Sequence, residues 1–217
     1  MKTAFTLAAG ALALMAAGAA FADDEIVSRE LDLSGFDRIA IAGVYELDVR
    51  VGPAFSIMLS GPAYEMDRVD AKVENGALVL DQRRWNKGEK NRNHRDGVEA
   101  VITMPSLTGL KISGVVEGHV SDVDAGRFDL NLSGVGDIAI DGECGELDAK
   151  VSGVGDLDAR SLECRKADVN VSGVGSASVF ASDEVDARIS GMGDIEIYGK
   201  PEKVRKSKGM FSDITVH

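Results

Sequence analysis

Proline and aromatic residues are scarce in this chain: four Pro, one Trp, and 5% Phe, Trp and Tyr together. So few prolines exclude a collagen-like or Pro/Gly-rich disordered chain. So few rings leave little for a surface that stacks nucleic-acid bases. Cations are also in deficit, with 24 Lys and Arg against 36 Asp and Glu and a formal charge of −12. That balance argues against binding a phosphate backbone. The histidines, His94, His119 and His217, have no metal-ligand spacing, and no G-x-S-x-G elbow occurs. No catalytic residue and no resident cofactor are therefore expected. Present in excess is glycine, 25 of 217 residues, about 12% against an ordinary ~7%. Hydrophobic residues at 44% are enough to build a core.

The first 22 residues read as a cleaved signal peptide. Lys2 supplies the positive start, Ala4 to Ala17 an apolar run, and Ala20-Phe21-Ala22 an A-x-A cleavage site. The run is too short to span a bilayer, and Asp23, Asp24 and Glu25 follow at once. Cleavage removes Lys2 and takes the formal charge from −12 to −13. Neither cysteine lies near the cleavage point, so no lipid-attachment site and no transmembrane segment are expected. The mature chain, 23–217, is read as an exported acidic protein of the periplasm, cell exterior or cell surface.

One unit then recurs. Lys111-Ile-Ser-Gly-Val, Asn131-Leu-Ser-Gly-Val-Gly-Asp, Lys150-Val-Ser-Gly-Val-Gly-Asp, Asn170-Val-Ser-Gly-Val-Gly-Ser and Arg188-Ile-Ser-Gly-Met-Gly-Asp set serines at 113, 133, 152, 172 and 190. Gly209-Met-Phe-Ser-Asp-Ile-Thr-Val is a degenerate further copy. Around each copy apolar and polar residues alternate, as in Leu130/Leu132, Ile138/Ile140, Val169/Val171 and Ile195/Ile197. Two short strands flanking a glycine corner, followed by a polar turn, make one coil of about 19 residues. The glycines Gly134, Gly136, Gly153, Gly155, Gly173, Gly175, Gly191 and Gly193 mark those corners. The expected fold is all-β, a right-handed β-solenoid whose coils stack at the ~4.8 Å strand spacing. A leucine-rich repeat lacks its signature here, and a β-sandwich would not repeat one corner at near-fixed spacing.

Residues 23–105 are less regular. Ile39 to Val51 has the strand–glycine–strand layout with Gly43 at the corner, Phe55 to Gly61 and Ala71 to Leu80 are strand-like, and Pro62 to Arg68 suits one helical turn. A single domain is expected, with irregular early coils and regular repeats over 106–217. Ser34-Gly-Phe-Asp-Arg-Ile-Ala-Ile-Ala-Gly, Asn75-Gly-Ala-Leu-Val-Leu, Met104-Pro-Ser-Leu-Thr-Gly-Leu and the reiterated Ser-Gly-Val-Gly-Asp resemble the head GIN domain family of autotransporter adhesin heads. The resemblance implies a β-helical exported protein and brings no catalytic residues. No autotransporter barrel is expected within this sequence.

Stacking converts sequence period into neighbourhood. Cys144 and Cys164, 20 apart, should meet on adjacent coils and form a disulfide in an oxidising compartment. Asp129, Asp148, Asp168 and Asp186 should form one column, and Asp137, Asp156, Ser176, Asp194 and Asp213 another. A cation ladder, most plausibly for Ca²⁺, is one reading. The preferred one is turn chemistry, with Lys150 and Arg188 neutralising part of the face. Asp81 to Gly97 reads as a projecting basic loop. It holds Arg83, Arg84, Lys87, Lys90, Arg92 and Arg95, with Trp85 and His94. It suits an anionic glycan or an acidic partner, although such a loop can equally be only solvated. The reading that emerges is a non-enzymatic, adhesin-like cell-envelope module contacting a glycan or protein. The alternative is a polysaccharide-acting β-helix enzyme.

Overall fold

Along residues 44–51 Tyr45, Leu47 and Val49 are buried while Glu46, Asp48 and Arg50 face outward. That period of two is what a strand covered on one face requires. The computed structural model describes residues 25–84 and 97–217, so the expected leader over 1–22 lies outside the described residues. In chain order the elements are β1 (Ile26–Glu30), β2 (Arg38–Ala42), β3 (Val44–Val51), β4 (Ser56–Pro62), a helical turn α1 (Ala63–Met66), β5 (Val69–Glu74) and β6 (Ala77–Gln82). Then follow β7 (Val98–Met104), β8 (Gly109–Ile112), β9 (Val115–Leu132), β10 (Ile138–Val151), β11 (Leu157–Val171), β12 (Ala177–Ile189), β13 (Gly193–Tyr198), β14 (Lys203–Lys208) and β15 (Ser212–Val216).

These strands wind into a β-solenoid of about five turns. One parallel ladder runs β7–β3 and on through the first parts of β9, β10, β11 and β12 to β13 and β15. The other runs β6–β2–β8 and through the last parts of the same long strands to β14. Inside, Ile41, Ile112, Leu132, Val151, Val171 and Ile189 stand in register as one buried column. Ile138, Leu157, Ala177, Ile195 and Ile214 form another. Each large aliphatic rung contributes on the order of 2 kcal/mol by leaving water.

The expected polar turn between coils is not a break. β9, β10 and β11 run through it as continuous strands, with register shifts near Ala139, Asp141 and residues 159–163. Hydrogen bonds to the coils on both sides persist through the bend, so a bulge accommodates it and no free turn is needed. In the irregular half, residues 71–80 fold as the hairpin β5–β6 around Asn75 and Gly76, both with positive φ. β6 and β7 lie beneath β2 and β3 as a further coil, with Ala42 opposite Asp81 and Tyr45 opposite Val98. The antiparallel β4, β1 and β5 close that end. The basic segment after Gln82 thus leaves the solenoid where the capping coil would have its corner.

The corners explain the glycine. A Cβ on Gly153 would stand 1.7 Å from the Gly134 carbonyl oxygen, and one on Gly155 2.0 Å from that of Gly136. Gly155 also has φ +145°, where side chains are disfavoured. Gly153→Ala is accordingly expected to cost about 3 kcal/mol, the upper end of ordinary overpacking. Gly126→Ala meets nothing within 4 Å and should stay within about 0.5 kcal/mol of the parent. Paired denaturant melts check both values, and equal losses would refute the account.

Cys144 and Cys164 face each other across β10 and β11, with Cα atoms 4.4 Å apart, and are joined in a disulfide. The bond closes a segment of separation 20, for which the chain-entropy estimate is about 3 kcal/mol. Cys144→Ala with Cys164→Ala should lower stability by up to that amount, whereas the parent under reductant should match the double variant. Thermal melts of the three samples provide the check.

Candidate functional site

The repeated corner creates a surface as well as a fold. In each corner the residue after the first glycine points outward, and the coils align these residues. Val44, Val115, Val135, Val154, Val174 and Met192 pair rung by rung. Phe211 follows, its carbonyl accepting the Gly193 N–H. Exposure runs from 40% at Val44 to 53% at Met192, and reaches 74% at Phe211. Beside this apolar stripe serine hydroxyls bond to backbone carbonyls of the adjacent coil. Ser113 Oγ donates to the Ile41 carbonyl and Ser133 Oγ to the Ile112 carbonyl, each at 3.1 Å. Its rungs from Val44 to Val174 line a shallow groove of about 990 Å³ that reaches Arg84 and Arg68.

A buried polar cluster holds the Arg84 end. Gln82 Oε1 accepts the Val44 N–H at 2.7 Å, supplying at this corner the bond that a further coil would give. Gln82 Nε2 reaches Glu65 at 3.5 Å, and Glu65 accepts from Arg68 at 2.5 Å. Arg68 Nε donates to the Arg83 carbonyl at 2.8 Å, and the Arg83 N–H donates to the Arg68 carbonyl at 2.9 Å. Burial pushes the neighbouring Tyr45 phenol above its ordinary value, with Asp81 adding to the shift. The root of the basic segment is therefore fixed to the body. Of the sequence-predicted loop residues, Arg83 and Arg84 are placed here. Trp85, Lys87, Lys90, Arg92 and Arg95 lie outside the described residues. Glu65, Arg68 and Gln82 were not foreseen, because only the fold joins a short helical turn, a hairpin and a corner.

The structure brings Asp129, Asp148, Asp168 and Asp186 into one register column. Their carboxylates are engaged by cations. Arg127 reaches Asp129 at 2.9 Å, Glu146 at 2.7 Å and Asp148 at 2.8 Å. Lys150 holds Asp148 at 2.7 Å, Arg188 bridges Asp168 and Asp186, and Arg205 reaches Glu184 at 2.6 Å. Arg127 and Arg205 were missed in the sequence, although the period that aligns the aspartates also aligns them. In the second column Asp137 accepts the Asp156 N–H at 3.0 Å, and Asp156 accepts the Ser176 N–H at 2.8 Å. Among the described residues no group of three or more His, Cys, Asp or Glu is arranged to hold a metal ion. A further acidic ladder joins segments distant in sequence, with Glu46 opposite both Glu99 and Glu117.

On the same face Arg160 grips Asp158 at 2.6 and 2.9 Å and stands 5.9 Å over the Tyr198 ring, which stacks on His217 at 4.6 Å. The Arg160 hydrogen bond holds the Asp158 carboxyl below its ordinary value, against partial burial. Because the folded value is depressed, this contribution is full above the unfolded pKa of ~4 and is lost as pH falls below it. Asp158→Asn should thus lower the melting temperature at pH 7, with the gap to the parent closing below about pH 4. Melting curves across pH measure the gap, and a gap that persists in acid would contradict the assignment.

Among the described residues no helix is long and apolar enough to cross a membrane. Comparison with curated proteins finds no match. In fold the chain is similar to a crystal structure titled a "putative adhesin" from Bacteroides fragilis NCTC 9343. The TM-score is 0.73, with 21% identity over 89% of this chain and 97% of that one. It is also similar to a "putative adhesin" from Parabacteroides distasonis ATCC 8503, with a TM-score of 0.50 and 16% identity over 90% and 98% of the two chains. Residues 35–201 match the family described as "Putative auto-transporter adhesin, head GIN domain". That span takes in the first glycine corner, the buried polar cluster and the Ser-Gly-x-Gly coils through Gly193. The chain belongs to the head GIN domain family.

Proposed function

We propose that the protein is an exported, non-enzymatic, adhesin-like module of the cell envelope that binds an anionic glycan or an acidic protein surface. The observation that carries this reading is the basic root at the capped end. Arg83 and Arg84 leave the solenoid at the mouth of the groove, anchored through Arg68, Glu65 and Gln82. The body they leave is acidic, so an anionic partner is attracted to this end and repelled from the carboxylate columns. The sequence from Arg83 to Arg95 adds cations and one tryptophan, the residue types that suit carboxylate, sulfate or phosphate groups on a polymer. The family and both structural relatives carry adhesin descriptions, which favour binding over turnover.

The test is a binding screen of the full chain against acidic polysaccharides and envelope fractions, with released sugars assayed in parallel. Binding without turnover is expected, and it should fall at least tenfold on Arg83→Glu with Arg84→Glu while the melting temperature holds. Unchanged binding after deletion of residues 85–95 together with those substitutions would remove this end as the contact. Sugar release abolished by a single carboxylate substitution would establish an enzyme instead.

A further inference from the structure

We infer that the apolar stripe along the glycine corners is a self-association surface, on which a second copy of this chain docks with the two solenoids parallel. Seven apolar rungs separated by the ~4.8 Å strand spacing make a line about 29 Å long. A continuous exposed apolar strip of this kind on a folded body marks a contact surface. Val135, Val154, Val174 and Met192 each stand between two glycines, so no side chain of the same corner stands beside those rungs.

Charge selects the partner and its direction. Two positions after the rungs stand Glu46, Glu117, Asp137, Asp156, Asp194 and Asp213, all exposed. Four positions before them stand Lys111, Lys150 and Arg188, also exposed. The strip thus has an acidic flank on one side and, on the other, a line of three cations beside the ion-paired Asp129 to Asp186 column. A two-fold axis running along the strip exchanges the flanks, so each acidic flank meets the side of its mate that carries Lys111, Lys150 and Arg188. A two-fold axis across the strip would instead set acid against acid at most of the rungs, at an electrostatic cost. The parallel arrangement is therefore the complementary one. The Lys150 and Arg188 ion pairs within their own face do not oppose it, since exposed pairs are worth under ~1 kcal/mol and rearrange readily.

A strip of this length and a width of about 15 Å buries roughly 900 Å² in total, at the small end for a specific interface. The expected dimer is consequently weak and reversible. It shares the Val44 end of the groove with the contact proposed at Arg84, and it is measured with the chain alone.

Sedimentation from 10 μM to 1 mM, about the range over which a small interface assembles, should show a concentration-dependent monomer–dimer equilibrium. Val135→Asp with Val154→Asp should weaken it at least tenfold. Val101→Asp, at an exposed valine off the strip, should leave it unchanged. Orientation is read from single cysteines, since the described native cysteines are bonded to each other. With parallel solenoids each rung meets its own copy, so Val115→Cys and Met192→Cys should each cross-link to themselves under mild oxidation. Cross-linking only between mixed Val115→Cys and Met192→Cys chains would show the antiparallel mode and overturn the proposal. A monomer at every concentration, or a dimer indifferent to Val135→Asp with Val154→Asp, would do the same.

Discussion

The closest constraint in this molecule is the approach of one backbone to the next at the stacked corners. A carbonyl oxygen of each coil occupies the place where a Cβ of the following coil would stand, 1.7 to 2.0 Å away at Gly134, Gly153, Gly173 and Gly191 and at their partners two residues on. No side chain fits there, so the sequence can stack only where glycine recurs at that position. The corner fixes the coil length, and the coil length aligns everything else. The buried aliphatic columns, the cysteine pair and the exposed rungs all inherit their register from it.

Alignment has an electrostatic consequence. A residue type repeated once per coil becomes a column of like neighbours about 5 Å apart. For valine and isoleucine that gives a continuous core. For aspartate it would give repulsion, and the molecule offsets it in two ways. One column interleaves Arg127, Lys150, Arg188 and Arg205 with its carboxylates. The other turns its carboxylates to the backbone N–H groups of the next coil. The charges of the surface are thus arranged by the same register that packs the core.

The capped end departs from the repeat, and the departure is where specific chemistry collects. A buried glutamine completes the hydrogen bonding of the first glycine corner and joins Glu65 and Arg68 to the root of the basic segment. Regular coils supply a rigid, extended acidic body. The irregular coil supplies the one buried polar cluster among the described residues, from which Arg83 and Arg84 emerge.

Much of this was legible in the residues. The Ser-Gly-x-Gly spacing sufficed for the solenoid, for the pairing of Cys144 with Cys164 and for the Asp129 to Asp186 column, since each depends only on period and local strand alternation. The hairpin at Asn75-Gly76 merged into one strand-like run, and the expected polar turns proved to be bulged strands, because hydrogen bonds from neighbouring coils override local turn preference. The Glu99–Glu46–Glu117 ladder and the Glu65–Arg68–Gln82 cluster join segments with no common period, so nothing in the sequence aligns them. The sequence by itself determined the coil, through where glycine alone is tolerated. Only the tertiary structure decided which end is capped, where the basic segment leaves the body, and that the residue between two glycines becomes an exposed apolar line. Those outcomes depend on contacts between distant strands, which no local pattern encodes.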